Sequence, residues 1–270
     1  MVPADPGAAA PPLLVELAPD GRWVAAAAPT FTGALPAAGV MIGLPCYSGM
    51  LSTATLRGLR DSQRACLALG LPFTCVTLGH ESLVQRARNT ILAHFLASTQ
   101  AQLVFVDADI GFGAPALLRL LGLGRPVVGG LYRKKRLDRK DWVVRWLLRE
   151  DGSARCDPRT GAVEVAMIGT GFLCMHREAL TRMATAFPGT RYIPDPDDGP
   201  TEGAWRDHAH ALFEAGINPA TGQYHSEDYG FCTRWRAIGG EVWCDPGLLL
   251  EHHGQACFAG DPMESFLPLP

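Results

Sequence analysis

The stretch LVFVDADIGF, residues 103–112, places two carboxylates, Asp107 and Asp109, directly after an apolar run. Such a run predicts a strand buried on both faces, where aspartate is rarely found. At the end of a strand the two side chains of a D-x-D pattern can be aimed at a single ion. A divalent cation would offset the repulsion between the two carboxylates. The alternative is that they are turn or N-cap residues before the next helix.

Strand-like and helix-like segments alternate around this stretch from Gly39 to Arg133. This alternation predicts an α/β fold with a mainly parallel central sheet flanked by helices. Ligands of such sheets gather at the carboxyl ends of the strands, where Asp107 and Asp109 are expected. The predicted strands are GVMIGLPC, FTCVTLG, QLVFVDAD and PVVGGLY, and the predicted helices are STATLRGLRDSQRACLALG, SLVQRARNTILAHFLAS and APALLRLLGLG.

The regular alternation stops after Arg133. Residues 141–176 predict antiparallel strands added to the sheet, with turns at EDGS and DPRTG. Helices are predicted at REALTRMATAF and SEDYGFCTRWRAIG and a strand at EVWCD, and the segment LLLEHHGQ follows that strand. Between the two helices lies a polar, turn-rich segment that is long enough for a functional loop.

Length and composition describe an ordinary globular protein. The chain has 270 residues, 47% of them hydrophobic and 19% charged, which suits one compact domain over residues 39–270. Residues 1–38 are rich in alanine and proline and predict either a hairpin or a loosely attached arm. We expect a cytoplasmic protein, because no apolar run reaches the roughly 18 residues of a membrane helix and the N-terminus lacks a secretory pattern.

Charge and cysteine usage exclude few partners. A net charge of −3 gives no footprint for nonspecific nucleic-acid binding, and it leaves the oligomeric state undetermined. The eight cysteines contain no C-x-x-C pair, so we interpret them as reduced thiols packed as small hydrophobic residues rather than as a zinc or disulfide framework.

The helix LVQRARNTILAHFL carries an arginine inside its apolar stripe. At 100° per residue Arg88 shares a face with Ile91 and Phe95, whereas Arg86 points away. A guanidinium there needs an anion, which is a structural aspartate, a ligand phosphate or a site carboxylate. Asn89 lies at the border of the stripe and supplements any of these roles.

Two further segments offer acidic and imidazole groups. In QYHSEDYGF, Ser226 is a candidate N-cap, and Glu227 and Asp228 suit the first turn of a helix or a cleft, as a base or a sugar anchor. In LLLEHHG, His252 and His253 follow an apolar strand, and only one is expected to bind a metal because neighbours on a strand face opposite ways.

Two segments carry weaker signals. Gly169 and Gly171 allow a ligand to approach the backbone, although a bulge has the same signature. The run RKKRLDRK, residues 133–140, holds six basic side chains that suit a diphosphate, an anionic acceptor or a solvated loop.

Taken in order, a set of motifs resembles the GT-A class of metal-dependent glycosyltransferases that use nucleotide sugars. The resemblance spans residues 39–261 and is closest to small bacterial and viral members of the family 2 type. Its motifs are IGLPCYSG, SLVQRARN, VFVDADIGF, VVGGLYRKK, GTGFLCMHREAL, HSEDYGFC and LEHHG.

The resemblance implies a role for each matching residue. Asp107 and Asp109 would hold a divalent ion on the donor diphosphate, and His252, two residues before Gly254, would complete the metal site. Arg88 would orient the donor or the D-x-D loop. The remaining roles fall to the acidic pair Glu227 and Asp228 near the acceptor and to Pro45 and Tyr47 in the loop that cradles the nucleotide.

The resemblance also implies the partners. The cofactor would be Mn²⁺ or Mg²⁺, with Mn²⁺ favoured once a histidine is included. The donor would be a UDP- or GDP-sugar, the acceptor a glycan or other hydroxyl compound, and the activity that of a hexosyltransferase. A mobile loop within residues 193–224 would close over the donor. The alternatives are a metal-dependent nucleotidyltransferase and a noncatalytic protein that binds nucleotide sugars or glycans.

Overall fold

The computed structural model describes residues 14–17, 23–26, 33–195, 203–218 and 221–263. The α-helices are α1 (Thr53–Ala68), α2 (Val84–Ala97), α3 (Ala114–Gly122), α4 (Arg177–Ala186) and α5 (Glu227–Ala237). The strands are β1 (Leu14–Leu17), β2 (Trp23–Ala26), β3 (Val40–Cys46), β4 (Phe73–Gly79), β5 (Gln102–Val106), β6 (Ile110–Gly111), β7 (Val127–Gly130), β8 (Val144–Trp146), β9 (Val163–Ile168), β10 (Phe172–His176), β11 (Gly216–Ile217), β12 (Tyr224–His225), β13 (Val242–Asp245), β14 (Glu251–His253) and β15 (Cys257–Phe258). Short 3₁₀ segments cover Pro188–Thr190 and Ala204–His208.

The centre of the fold is an eight-stranded sheet in the order β4-β3-β5-β10-β7-β13-β9-β8. The parallel pairs are β3 with β4, β3 with β5, and β7 with β13. Strand β10 is antiparallel to β5 and β7, and β9 is antiparallel to β13 and β8. Only β9 and β10 therefore run against the other six strands of this sheet. The predicted α/β class with a mainly parallel sheet and antiparallel additions is confirmed.

The position of β10 differs from the expectation of strands appended to the sheet. Residues 163–176 read as one extended segment, but Gly169 and Gly171 separate β9 from β10, because the Tyr132 ring packs against both glycines. Four of the five β10 residues are buried, so the strand lies in the middle of the sheet, between β5 and β7.

The sheet is covered on both faces, as the apolar run of β5 predicts. Leu103 and Phe105 belong to one buried cluster with residues of α2, α4 and α5. Val104 and Val106 belong to a second cluster with residues of α1 and α3. Successive side chains of a strand point to opposite faces, so β5 contributes to both halves of a three-layer core.

Smaller ladders surround this core. Strands β6, β14 and β15 form a three-stranded antiparallel sheet, and β11 pairs with β12. Strands β1 and β2 pair antiparallel within the N-terminal region, while the division into residues 1–38 and 39–270 stays a prediction. None of the helices described above has both the length and the apolar composition to cross a membrane.

All eight cysteines are free thiols, and five of them are buried. The interpretation as small packed residues therefore suits most of them, whereas Cys75 and Cys257 are exposed.

Candidate functional site

The two aspartates lie in a turn at the carboxyl end of β5. The backbone N–H of Asp107 donates to the carbonyl of Gly171 at 3.0 Å, and Ile110 N–H donates to the Asp107 carbonyl at 3.1 Å. The N-cap of α3 is Gly113, so an N-cap role for either aspartate is wrong, whereas the turn expectation is correct. The chain then enters β6, which fixes the turn between two ladders.

The N-terminus of α1 holds this D-x-D turn through hydrogen bonds to its backbone carbonyls. Ser52 N–H donates to the Ala108 carbonyl at 2.8 Å. The Thr55 hydroxyl oxygen, which is fully buried, lies 2.8 Å from the Ile110 carbonyl and 3.1 Å from that of Ala108. Sequence reasoning missed Thr55, because a threonine inside a helical pattern carries no sign of a contact this far along the chain.

Asp109 and His252 come together although they lie far apart in sequence. His252 Nε2 is 3.5 Å from Asp109 Oδ1, and its Nδ1 is 2.7 Å from the Arg133 carbonyl. A carbonyl only accepts, so Nδ1 carries a hydrogen and donates it. Nε2 then either carries a second proton or presents its lone pair to the space that it shares with the carboxylate. A metal-ligating histidine is held in this way through its other nitrogen.

A lysine of the basic run also reaches Asp109. Lys135 Nζ lies 2.5 Å from Asp109 Oδ2. Burial opposes ionisation of Asp109, but hydrogen bonds with His252 and Lys135 outweigh it and lower its pKa to about 2. Asp109 is therefore an anion at neutral pH and can act as a metal ligand.

Arg88 bridges the carboxylates of Asp107 and Glu227. Its Nη2 donates to Asp107 Oδ1 at 2.8 Å and its Nε to Glu227 Oε1 at 3.3 Å, while the guanidinium lies over the Phe105 ring. Burial disfavours the charge on Arg88, yet the charges of Asp107 and Glu227 dominate and raise its pKa. The anions that the structure places at Arg88 are the carboxylates of Asp107 and Glu227, whereas their role in a site stays a prediction. Its buried Nη1 has no hydrogen-bond partner among the described residues.

Asn89 lies next to Arg88 but is engaged elsewhere. Its Nδ2 donates to the Phe213 carbonyl at 2.9 Å, and its Oδ1 accepts from Phe213 N–H at 2.9 Å. This pair of hydrogen bonds ties residues 212–214 to α2. A contact between Asn89 and a donor stays a prediction.

Asp228 follows Glu227 in the first turn of α5. The Ser226 hydroxyl donates to Asp228 Oδ1, and Tyr229 N–H donates to the same oxygen at 2.7 Å. Ser226 occupies the N-cap position, but its side chain makes no capping hydrogen bond, contrary to the expectation. Burial, together with the charge of Glu227, raises the pKa of Asp228.

Tyr132 connects the two groups of site residues. Its hydroxyl accepts from Gly171 N–H at 3.0 Å, and its ring meets the His252 ring edge-on at 5.2 Å between centroids. Burial and the charges of Asp107 and Asp228 raise the pKa of Tyr132 well above 10, so the phenol stays protonated. Sequence reasoning missed Tyr132, although it stands at the end of the fourth predicted strand, directly before the basic run.

Three predicted donor-binding residues lie at the same edge of the sheet. Pro45 pairs with Leu78 near the end of β3, and the Tyr47 side chain beyond it is 68% exposed. Gly171 precedes β10, and a Cβ there would collide with the Tyr132 ring, so the close approach at this glycine is made by a side chain of the protein. Donor contacts at Pro45, Tyr47 and Gly171 remain predictions.

No family model matches the chain, and no curated protein matches it in sequence. The chain is similar in structure to A197 from STIV, with a TM-score of 0.46 and 17% identity over 82% of this chain and 93% of that one. It is similar to GalNAc-T7 with UDP, GalNAc and Mn²⁺, with a TM-score of 0.44 and 11% identity over 84% of this chain and 47% of that one. A glycosyltransferase involved in glycosylation of the major capsid of PBCV-1 gives a TM-score of 0.31 and 11% identity over 59% and 71%. These are likenesses of fold.

Most of the basic run is paired within the protein. Lys134 contacts Asp141 at 2.9 Å and Arg136 contacts Asp138 at 2.6 Å, so these two cations are paired within the loop itself, which agrees with the prediction of a solvated loop. Lys135 is the member of the run that reaches Asp109.

The expected lid falls partly outside the described residues, which omit 196–202 and 219–220. Within the described part Leu212 and Phe213 are fully buried, and Arg234 Nη1 donates to the Leu212 carbonyl at 3.1 Å. The centre of the segment is thus packed on the core, and closure over a donor stays a prediction.

The two histidines also differ from the expectation. They do not follow an apolar strand but lie within β14, and Leu248–Leu250 is not a strand. His252 faces Asp109, whereas His253 faces Glu251. The expected opposite orientation of the two neighbours is correct.

Proposed function

We propose that the protein is a metal-dependent glycosyltransferase that moves a sugar from a UDP- or GDP-sugar to a hydroxyl group of a glycan or similar acceptor. The observation that carries the proposal is the approach of His252 Nε2 to Asp109 Oδ1, with the other ring nitrogen fixed on the Arg133 carbonyl. Asp109, His252 and Asp107 offer a mixed oxygen and nitrogen donor set at the strand ends of an α/β sheet, where ligands collect.

The donor set suits the implied cation. Mn²⁺ accepts imidazole nitrogen as well as carboxylate oxygen, whereas Mg²⁺ prefers oxygen alone, so Mn²⁺ is favoured. When bound, this ion supplies Lewis-acid neutralisation of the negative charge that develops on the leaving diphosphate.

The other residues of the site are assigned roles in positioning the carboxylates and binding the donor. Arg88 holds the side chains of Asp107 and Glu227 in place through its two hydrogen bonds. Lys135 places a positive charge beside Asp109, where the diphosphate of the donor would lie. Pro45 and Tyr47, at and beyond the end of β3, would contact the nucleoside of the donor.

Asp228 is the residue that we assign as the base. Its raised pKa gives it more affinity for a proton than an ordinary aspartate, which suits removal of the proton from an acceptor hydroxyl. Glu227, which is held by Arg88, lies beside it and would contact the acceptor.

The test is donor turnover by the full chain with Mn²⁺ and a panel of acceptors. We expect release of nucleoside diphosphate, and we expect Asp109→Asn to reduce it by about 100-fold or more, because metal binding supplies several kcal/mol to such steps. Asp151→Asn is the matched control, since Asp151 is an exposed carboxylate in a turn and bonds with the Ser153 hydroxyl.

The outcomes separate the alternatives. If the Asp109→Asn variant turned over the donor at the same rate as the wild-type protein, the proposal would be rejected. Release of pyrophosphate instead of nucleoside diphosphate would identify a nucleotidyltransferase. Tight donor binding without turnover on any acceptor would identify a noncatalytic binding protein.

A further inference from the structure

The β14–β15 ribbon that carries His252 also carries three metal-ligating side chains on its opposite face. His253 lies directly opposite Cys257 in the ladder, and Glu251 precedes His253 by two residues, so all three share one face. His253 Nε2 is 2.8 Å from Glu251 Oε2 and 4.0 Å from Cys257 Sγ. The ligand atoms of the three residues all lie within 4.8 Å of one another.

The neighbouring strand leaves room for this cluster. Gly111 pairs with Glu251 in the ladder between β6 and β14. A Cβ at residue 111 would lie 2.8 Å from Glu251 Oε2 and 3.0 Å from His253 Nε2. Any larger residue would therefore displace the two ligand groups.

The cluster is reachable from solvent. Glu251 and Cys257 are exposed and His253 is half-buried. Glu251 also lines a surface cavity of about 370 Å³, together with Arg57 and Asp61 of α1. An ion can enter without any movement of the core, which is a requirement of a metal site.

The chemistry of the donors selects the metal. A carboxylate oxygen, an imidazole nitrogen and a thiolate sulfur form a borderline-soft set that suits Zn²⁺, whereas Mg²⁺ and Ca²⁺ take oxygen ligands. Bonds of about 2.0 to 2.3 Å in a tetrahedral zinc site place neighbouring donor atoms about 3.3 to 3.6 Å apart. The separations of 2.8 and 4.0 Å lie on either side of this range, so small side-chain rotations suffice.

We propose that Glu251, His253 and Cys257 bind one Zn²⁺ ion, with its fourth position open to water, at a site distinct from the one proposed for turnover. Three protein ligands and one open position is a common zinc arrangement. It does not depend on the proposed function, because none of the three side chains is used there.

The site would act on its neighbour through the backbone. His253 N–H donates to the Asp109 carbonyl at 2.8 Å, and His252 lies between two of the ligands in sequence. A cation that ties Glu251, His253 and Cys257 together would fix the ribbon from which His252 approaches Asp109.

Cobalt provides the test, since Co²⁺ takes the place of zinc and absorbs in the near ultraviolet when a thiolate binds it. The metal-free full chain would be titrated with Co²⁺ and then with Zn²⁺. We expect a thiolate-to-cobalt band that rises to saturation and is bleached by Zn²⁺. Absence of this band in the wild-type protein would overturn the proposal.

Four variants locate the site. Cys257→Ser is expected to abolish the band, whereas Cys75→Ser, the other exposed thiol, is expected to retain it. Glu251→Gln keeps the thiolate and is expected to weaken zinc affinity by at least about 10-fold. Asp109→Asn is expected to retain the thiolate-to-cobalt band and its bleaching by Zn²⁺, because Asp109 belongs to the other site. A full band in Cys257→Ser, or unchanged zinc affinity in Glu251→Gln, would overturn the assignment.

Discussion

Arg88 keeps its charge inside the protein because carboxylates from two different elements reach it. Its side chain is 4% exposed, while those of Asp107 and Glu227 are 28% and 13% exposed. Removing one member of such a network leaves uncompensated charge in a poorly hydrated place, which costs far more than the loss of a surface ion pair.

We expect Arg88→Met to lower the free energy of unfolding by roughly 2 to 3 kcal/mol, below the value for fully buried pairs because Asp107 is partly hydrated. Arg86→Met on the same helix is the control, since the Arg86 side chain is 42% exposed and the loss of its pair with Glu81 should cost less than about 1 kcal/mol. Urea unfolding measures both. Equal losses in the two variants would contradict this account of Arg88.

Substitution of Asp228 is expected to stabilise the protein, which is the opposite of the effect expected for Arg88→Met. Folding raises its pKa, so its ionised form destabilises the folded state at pH values above that pKa, and the cost vanishes below the unfolded value of about 3.9. We therefore expect Asp228→Asn to be more stable than the wild type at neutral pH, with a gain that shrinks as the pH falls towards 4. Urea unfolding at several pH values measures this gain.

The same variant is expected to lose about 100-fold or more in turnover, as removal of a general base does. Asp151→Asn is the control for stability, because hydrogen bonds from Ser153 lower the pKa of Asp151 and this variant should gain nothing at neutral pH. A less stable Asp228→Asn protein with normal turnover would remove Asp228 from the site.

At this scale the sequence allowed Asp107, Asp109, Arg88 and His252 to be named, because carboxylates, a guanidinium and imidazoles stand out in or beside apolar segments. It could not show that Asp107 pairs with Arg88 while Asp109 pairs with His252 and Lys135, since these pairings depend on loops whose paths have no periodic pattern. Tyr132 has an apolar ring and gave no comparable contrast with its neighbours.

Among the elements, α1 has a role beyond covering the sheet. The Thr55 hydroxyl lies within hydrogen-bond distance of two carbonyls of the segment that contains Asp109, and Ser52 N–H donates to one of them. The N-terminal turn of the helix thus sets the position of the D-x-D turn.

We expect Thr55→Val, which keeps the shape but removes the hydroxyl, to destabilise the protein by about 1 to 3 kcal/mol, because buried carbonyls lose a donor. Mn²⁺ affinity should fall with it. Thr53→Val is the control, since Thr53 is exposed in the same turn of α1. Unfolding and manganese titration of both variants measure the effect, and an unchanged Mn²⁺ affinity in Thr55→Val would contradict a positioning role.

Elements with strong periodicity were predicted well. FTCVTLG coincides with β4, and the predicted helices contain α1, α2 and α3. For the segment LLLEHH the prediction of a strand before the histidines is wrong, because an apolar run resembles a strand whether or not a neighbouring strand pairs with it. Leu248 and Leu250 are buried as packing residues, and pairing begins only at Glu251.

For the whole molecule, the ends of β3, β5 and β7 bring the site residues to one edge of the sheet. A ligand that bridges them should stabilise the folded chain as a unit, by about 2.7 kcal/mol at a concentration 100 times its dissociation constant. For a chain of this size this corresponds to a rise in Tm of about 5 to 10 °C.

We expect UDP or GDP with Mn²⁺ to produce this rise, and neither the nucleotide nor the metal alone to reach it. Asp109→Asn should abolish the joint effect, whereas Asp151→Asn should retain it. A thermal-shift screen of nucleoside diphosphates and their sugars measures the effect and identifies the base of the donor. Equal rises in Tm with and without Mn²⁺ would show that nucleotide binding does not depend on the metal, which would contradict a shared site.

The central position of β10 has a consequence for how the chain is made. Strands β3, β4 and β5 can pair as soon as they are synthesised, but the free edge of β5 faces β7 only across a gap that β10 fills later. Until residue 176 leaves the ribosome, two apolar strand edges stay unpaired, and such edges invite association with other chains. Nascent chains that stall before this point should therefore be the species that chaperones bind.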